Sequence, residues 1–135
     1  MAEKFLISSF WQMDGYFCSK AIAIIQCQAE SDTGNDNCSC NVFDLHGNWL
    51  HHFSIPQMPE NLHLAQVISN ERYIFVISGK DKFHQITARC YKLDMKYMSW
   101  SRIADLKDGR QFHTACIAGN HIYVTGGFNG NDVFS

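Results

Sequence analysis

Arg110 and His113 stand three positions apart and have the side chains of an acid–base pair, one fixed cation beside one group that titrates near neutrality. Catalysis would need a nucleophile or carboxylate positioned with them, and none accompanies them in the sequence. Cys38-Ser39-Cys40, followed by His46, His51 and His52, supplies donor types that zinc accepts. Its spacing matches none of the usual ligand pairs, and alternate residues of one strand simply share a face. Glu30, Asp32 and Asp36 make an acidic loop without the glycine and terminal glutamate of a calcium loop. Asn37-Cys38-Ser39 satisfies the glycosylation triplet, but no secretory signal precedes it. The expectation is therefore no catalytic residue, no metal and no cofactor.

Composition narrows the partners. The 135 residues are 46% hydrophobic, with a formal net charge of -2 and a sequence pI near 6.3. No run of lysine or arginine is present to neutralise a series of phosphates, so nucleic acid is not an expected partner. No apolar run approaches the roughly 18 residues of a membrane span, so no membrane is expected either. Lys4 and the apolar cluster from Phe5 to Trp11 are too short for a signal core. The chain reads as cytoplasmic, and the six cysteines as reduced. Of these, Cys27, Cys90 and Cys116 lie inside apolar runs, where a thiol packs as a small hydrophobe.

Such side chains need elements to position them. Glycine and proline divide the sequence into short runs rich in Val, Ile, Tyr, Phe and Cys, and no window sustains helical periodicity between caps. The chain therefore reads as all-β. Three marks recur along it. Ile122-Tyr123-Val124-Thr125-Gly126-Gly127 aligns with Ile74-Phe75-Val76-Ile77-Ser78-Gly79 at a separation of 48 residues, and Asp94 follows Asp44 by 50. Trp100 follows Trp49 by 51. Paired glycines closing a strand permit positive φ and close backbone approach. The tryptophans offer a large apolar area with one N–H to satisfy, and the aspartates suit hairpin corners.

A period of about 50 residues is that of a kelch array. Trp100, Ile103, Leu106, Arg110, His113, Gly119, Ile122, Tyr123, Val124, Gly126, Gly127 and Gly130 together resemble a complete kelch repeat of the kind that follows a BTB domain in animal proteins. The preceding repeat is degenerate: Ser78 stands where the first glycine belongs, and the Arg and His positions fall near Leu62 and His63. The resemblance implies a kelch-type β-propeller fragment of four-stranded antiparallel blades, about two and a half in number. Residues 1–54 form a degenerate blade, 55–103 a second, and 104–135 the first half of a third, truncated one. Trp49, Gly79, Trp100, Arg110, His113, Tyr123, Gly126 and Gly127 then carry the structural motif.

The same resemblance implies a protein-interaction module. In propellers of this class the face formed by inter-blade loops and second-to-third-strand loops grips a partner, through positions just after the arginine and just after the double glycine. Those positions here are Gln111 and Phe112, then Phe128 and Gly130, with Lys80 and Lys82 in the matching loop of the preceding repeat. The expected role is substrate recognition for a cullin–RING ubiquitin ligase adaptor, with cullin reached through a BTB domain outside this sequence. Actin binding by a cytoskeletal kelch protein is the alternative, and a propeller enzyme the more distant one.

Overall fold

A computed structural model describes residues 3–13, 16–28, 37–44, 48–60, 62–70 and 72–135, giving only the backbone for 3–13, 16–28, 37–44 and 49–53. All regular structure among them is strand. Strands β1 (Glu3–Met13), β2 (Tyr16–Gln28), β3 (Asn37–Asp44) and β4 (Trp49–Ile55) form one sheet in sequential order. A second sheet repeats the pattern with β5 (Gln66–Ser69), β6 (Tyr73–Lys80), β7 (Ile86–Asp94) and β8 (Ser99–Arg102). β9 (Thr114–Ala118) and β10 (His121–Thr125) pair as a hairpin. Every pairing is antiparallel. The all-β, antiparallel arrangement expected from the sequence is present. Beyond β10, Val133 makes a single bridge to Phe128.

The first strands of the three sheets are neighbours in space, β5 lying against both β1 and β9. This is the relation of propeller blades around an axis, in which each sheet gains apolar cover from the next. Burial follows it. In β9 and β10 only alternate residues, Ala115, Ile117, Ile122 and Val124, are half-buried, as expected of strands covered on one face. Strand β6 sits between β5 and β7, and from Val76 to Gly79 every residue is buried. Ile74 and Leu93 are wholly inaccessible, and Ile77 and Cys90 almost so. Burial of each large aliphatic here contributes about 1.5–3 kcal/mol. Cys90 behaves as the packing thiol expected of it, whereas Cys116 faces outward on the uncovered side of β9.

Corner chemistry fixes the ends of the second sheet. Asn70 Oδ1 accepts the Arg72 and Tyr73 N–H groups, closing the turn between β5 and β6. Asp94 Oδ1 accepts from the Lys96 and Tyr97 amides in the turn between β7 and β8, while Oδ2 takes the Arg72 guanidinium at 2.9 Å. That contact, with the amide donors, holds the Asp94 carboxyl below the ordinary carboxylate range. The hairpin role read for Asp94 is therefore present; the side chains of Asp44 and Trp49 lie outside the described residues.

Candidate functional site

In an antiparallel blade the loop between second and third strands lies at the same end as the connection to the next blade. Residues 56–60 and 62 and segments 81–85, 103–113 and 128–132 accordingly gather at one end. Their closeness is direct: the Gly79 N–H donates to the Arg110 carbonyl at 3.0 Å, and a Cβ on Gly109 would sit 2.6 Å from the Thr87 carbonyl carbon. A Cβ on Gly130 would meet Ile86 Cδ1 at 3.8 Å.

A groove of about 390 Å³ opens here between Gln57–Glu60 and Asp81–Phe83, with Arg89 at its floor. Arg89 Nε donates to Glu60 Oε1 at 2.7 Å, and its Nη2 lies 3.5 Å from Asp81 Oδ2. The Tyr91 hydroxyl donates to the same Glu60 oxygen at 2.9 Å; burial first, then this bond, raises the phenol above its ordinary value. Asp81 Oδ1 accepts the Phe83 and Gln85 amides, which favours its ionised form and lowers its pKa. The turn so formed puts His84 at φ +60° and leaves the Phe83 ring exposed, with Lys82 Nζ 5.1 Å from its centre. The charges of Arg89, Glu60 and Asp81 are thus satisfied within the groove, and its exposed edge carries Phe83 beside Gln57 and Lys82.

Backbone register sets the rest of the face. His63 and Lys80 exchange two hydrogen bonds of 2.7 Å; 48 residues later Gln111 and Phe128 exchange two of 3.0 and 2.9 Å. The glycine before each second partner lies against the first: a Cβ on Gly79 would meet the His63 carbonyl oxygen at 2.6 Å, and one on Gly127 the Gln111 carbonyl oxygen at 2.8 Å. Leu64 and Phe112 follow the bridge residues, both in the left-handed region at φ +56° and +55° and both exposed, Phe112 by 71%.

This 48-residue match of bridge, glycine and exposed apolar residue is a structural repeat, and residues 109–135 match a family model described as Kelch motif. The chain carries a kelch motif. A search of curated proteins found no match. Such a motif points to a protein-interaction propeller module, a class of unit that is generally not enzymatic. Within it Arg110 is a framework residue. Its Nη1 donates to the Gly126 carbonyl at 3.1 Å and its guanidinium stacks 4.1 Å from the centre of the Phe134 ring. His113 is buried, neither ring nitrogen completing a hydrogen bond, and burial holds its pKa below the ordinary value although the Ile77 backbone opposes the shift. Trp100 is half-buried with Nε1 bonded to the Pro56 carbonyl at 2.7 Å. Tyr123 is exposed on β10.

All six residues expected to touch a partner lie at this one end, but they do not present themselves equally. Phe112, Gly130 and Lys82 are exposed, Lys80 and Phe128 are half-buried, and Gln111 is only 6% exposed, its Oε1 buried without a partner. In the preceding repeat the structure also shifts the kelch histidine position: the counterpart of His113 is Ala65, and His63 is the counterpart of Gln111. Leu64 and Phe83 belong to the face and were not anticipated. The 48-residue offset of the glycine strands, applied to Phe112, would have found Leu64. Among the described residues no group of three or more His, Cys, Asp or Glu side chains is placed to hold a metal. Glu30, Asp32, Asp36 and His46, and the side chains of Cys38, Cys40, His51 and His52, lie outside them.

Proposed function

We propose that the chain is the partner-recognition part of a kelch propeller, and that its loop face grips a protein segment through apolar side chains. Phe112 carries this reading. A bulky residue at φ +55° costs on the order of 1–3 kcal/mol, and persists where the surrounding structure imposes it. Here the cost accompanies an aromatic ring held in solvent, the kind of anchor that dominates interface energies. Leu64 repeats the arrangement one blade earlier and Phe83 adds a third exposed apolar side chain. The likeness of the last repeat to the BTB class supports the finer reading, substrate recognition for a cullin–RING ubiquitin ligase adaptor in the cytoplasm.

The test compares the full-length protein with its Phe112→Asp and Leu64→Asp variants in affinity capture, with Tyr97→Asp, in the turn at the opposite end of the second sheet, as control. Loss of the same captured proteins in both loop-face variants, with capture intact in the control, is the expected result. Cullin among the proteins retained by every variant supports the adaptor reading. Co-sedimentation with filamentous actin instead would favour the cytoskeletal one, and undiminished capture by Phe112→Asp would overturn the face assignment.

A further inference from the structure

We propose that Ser78, standing where the kelch repeat ordinarily has its first glycine, is the positioning residue for Phe112. The inference rests on the loop-face reading above and deepens it. Ser78 is the single β6 residue opposite Ala88 and Arg89 of β7, where the register of the two strands shifts between Ile77 and Gly79. Its φ is +55° and it is wholly inaccessible. Glycine adopts that conformation without penalty, so serine is retained at a cost unless its side chain returns something.

What the hydroxyl contributes is a clasp between blades. The Arg110 N–H donates to Ser78 Oγ at 2.8 Å. The single hydroxyl hydrogen is directed to the Thr87 carbonyl at 2.7 Å, with the Arg110 carbonyl as the alternative acceptor at 2.9 Å. That Arg110 carbonyl already accepts the Gly79 N–H at 3.0 Å. Both backbone groups of Arg110 are therefore held by residues 78 and 79 of the second sheet. One residue later, both backbone groups of Gln111 are held by Phe128. The chain is gripped from one blade at 110 and from the next at 111, then turns outward at Phe112. Gly109 completes the constraint, because its α-carbon is pressed against the backbone of Thr87 and Ala88 where no side chain fits. Glycine at 78 would leave the Arg110 N–H without its acceptor and the Gly79 N–H as the one backbone bond from the second sheet to Arg110. In this chain the departure from the motif thus sets the direction in which the aromatic anchor points.

Amide hydrogen exchange on the intact protein tests this without any partner, using Ser78→Gly, which relieves the φ, and Ser78→Ala, which keeps the strain and loses the hydroxyl. Both variants are expected to raise exchange at the Arg110 amide by about tenfold or more, the scale of one lost buried hydrogen bond, while the Leu93 amide in the sheet core stays protected. Ser78→Gly should do so with a melting temperature equal to or above that of the parent, a combination that a purely structural role does not produce. Unchanged exchange at Arg110 in Ser78→Gly overturns the proposal, as does a rise at Arg110 matched by an equal rise at Leu93. Failure of the loop-face reading would appear separately, as normal partner capture by Phe112→Asp.

Discussion

The indole Nε1 of Trp100 donates to the Pro56 carbonyl at 2.7 Å, so the outer strand of the second sheet is fastened to the chain just after it leaves the first. The bond spans 44 positions and ties β8 to the segment that joins the first two sheets. Since Trp100 is half-buried, Trp100→Ala is expected to cost about 2–3 kcal/mol, below the 3–5 of a fully buried aromatic. Trp100→Phe keeps most of the ring and loses the donor, and should cost about 1 kcal/mol. Chemical denaturation of the full-length protein measures both. Equal losses for the two would mean that the hydrogen bond, not the ring, fastens the strand.

Gly127 and Gly119 separate conformation from space. Both have positive φ, +98° and +57°, but a Cβ on Gly127 would lie 2.8 Å from the Gln111 carbonyl oxygen and 2.9 Å from His113 Cβ, whereas one on Gly119 meets nothing within 4 Å. Gly119→Ala carries only the left-handed penalty, about 1 kcal/mol. Gly127→Ala adds a collision with backbone and should cost about 3 kcal/mol. Thermal melts of the two variants give the comparison, and parity between them would remove the close approach from the argument.

Trp100, Gly79 and Gly127 were legible in the sequence because their roles rest on residue type at a fixed interval, and the interval survives any local irregularity. Ser78 was not. Read by type it is a lost glycine, and its hydrogen bonds to Arg110 depend on a bulge and on a neighbouring blade 32 positions away. For a related reason residue type misplaces His63: it is a histidine close to the expected position, while its backbone pairing with Lys80 puts it in the Gln111 position. Gln111 is a contact candidate by its place after Arg110, and the packing of the blade buries its side chain.

His113 should make stability depend on pH in a definite direction. Burial lowers its pKa in the folded state below the ordinary 6.5, so as pH falls the unfolded chain takes up the proton first. Stability is therefore held above that value and declines as pH drops through it, because the buried ring, with neither nitrogen hydrogen-bonded, resists charging. His113→Leu removes the titration and should flatten the difference between melts at about pH 7.5 and about pH 5. An unaltered difference would assign the acid sensitivity to other groups.

Phe112→Gly sets stability against recognition at a single position. Glycine accepts φ +55° freely, and the Phe112 side chain is 71% exposed, so its removal gives up little buried area while relieving backbone strain. Glycine also widens the unfolded ensemble, which offsets part of the gain. The net expectation is a melting temperature unchanged or raised, by at most about 1 kcal/mol in stability. Partner capture should fall at least as far as in Phe112→Ala, because the anchor is gone in both and the glycine also loosens the turn that displays it. Stability held or gained together with recognition lost is what a residue retained for binding produces. A packing residue would lose both, so a clear drop in the melting temperature of Phe112→Gly would show that the ring folds back over the blade and would transfer the anchor role to Leu64 and Phe83.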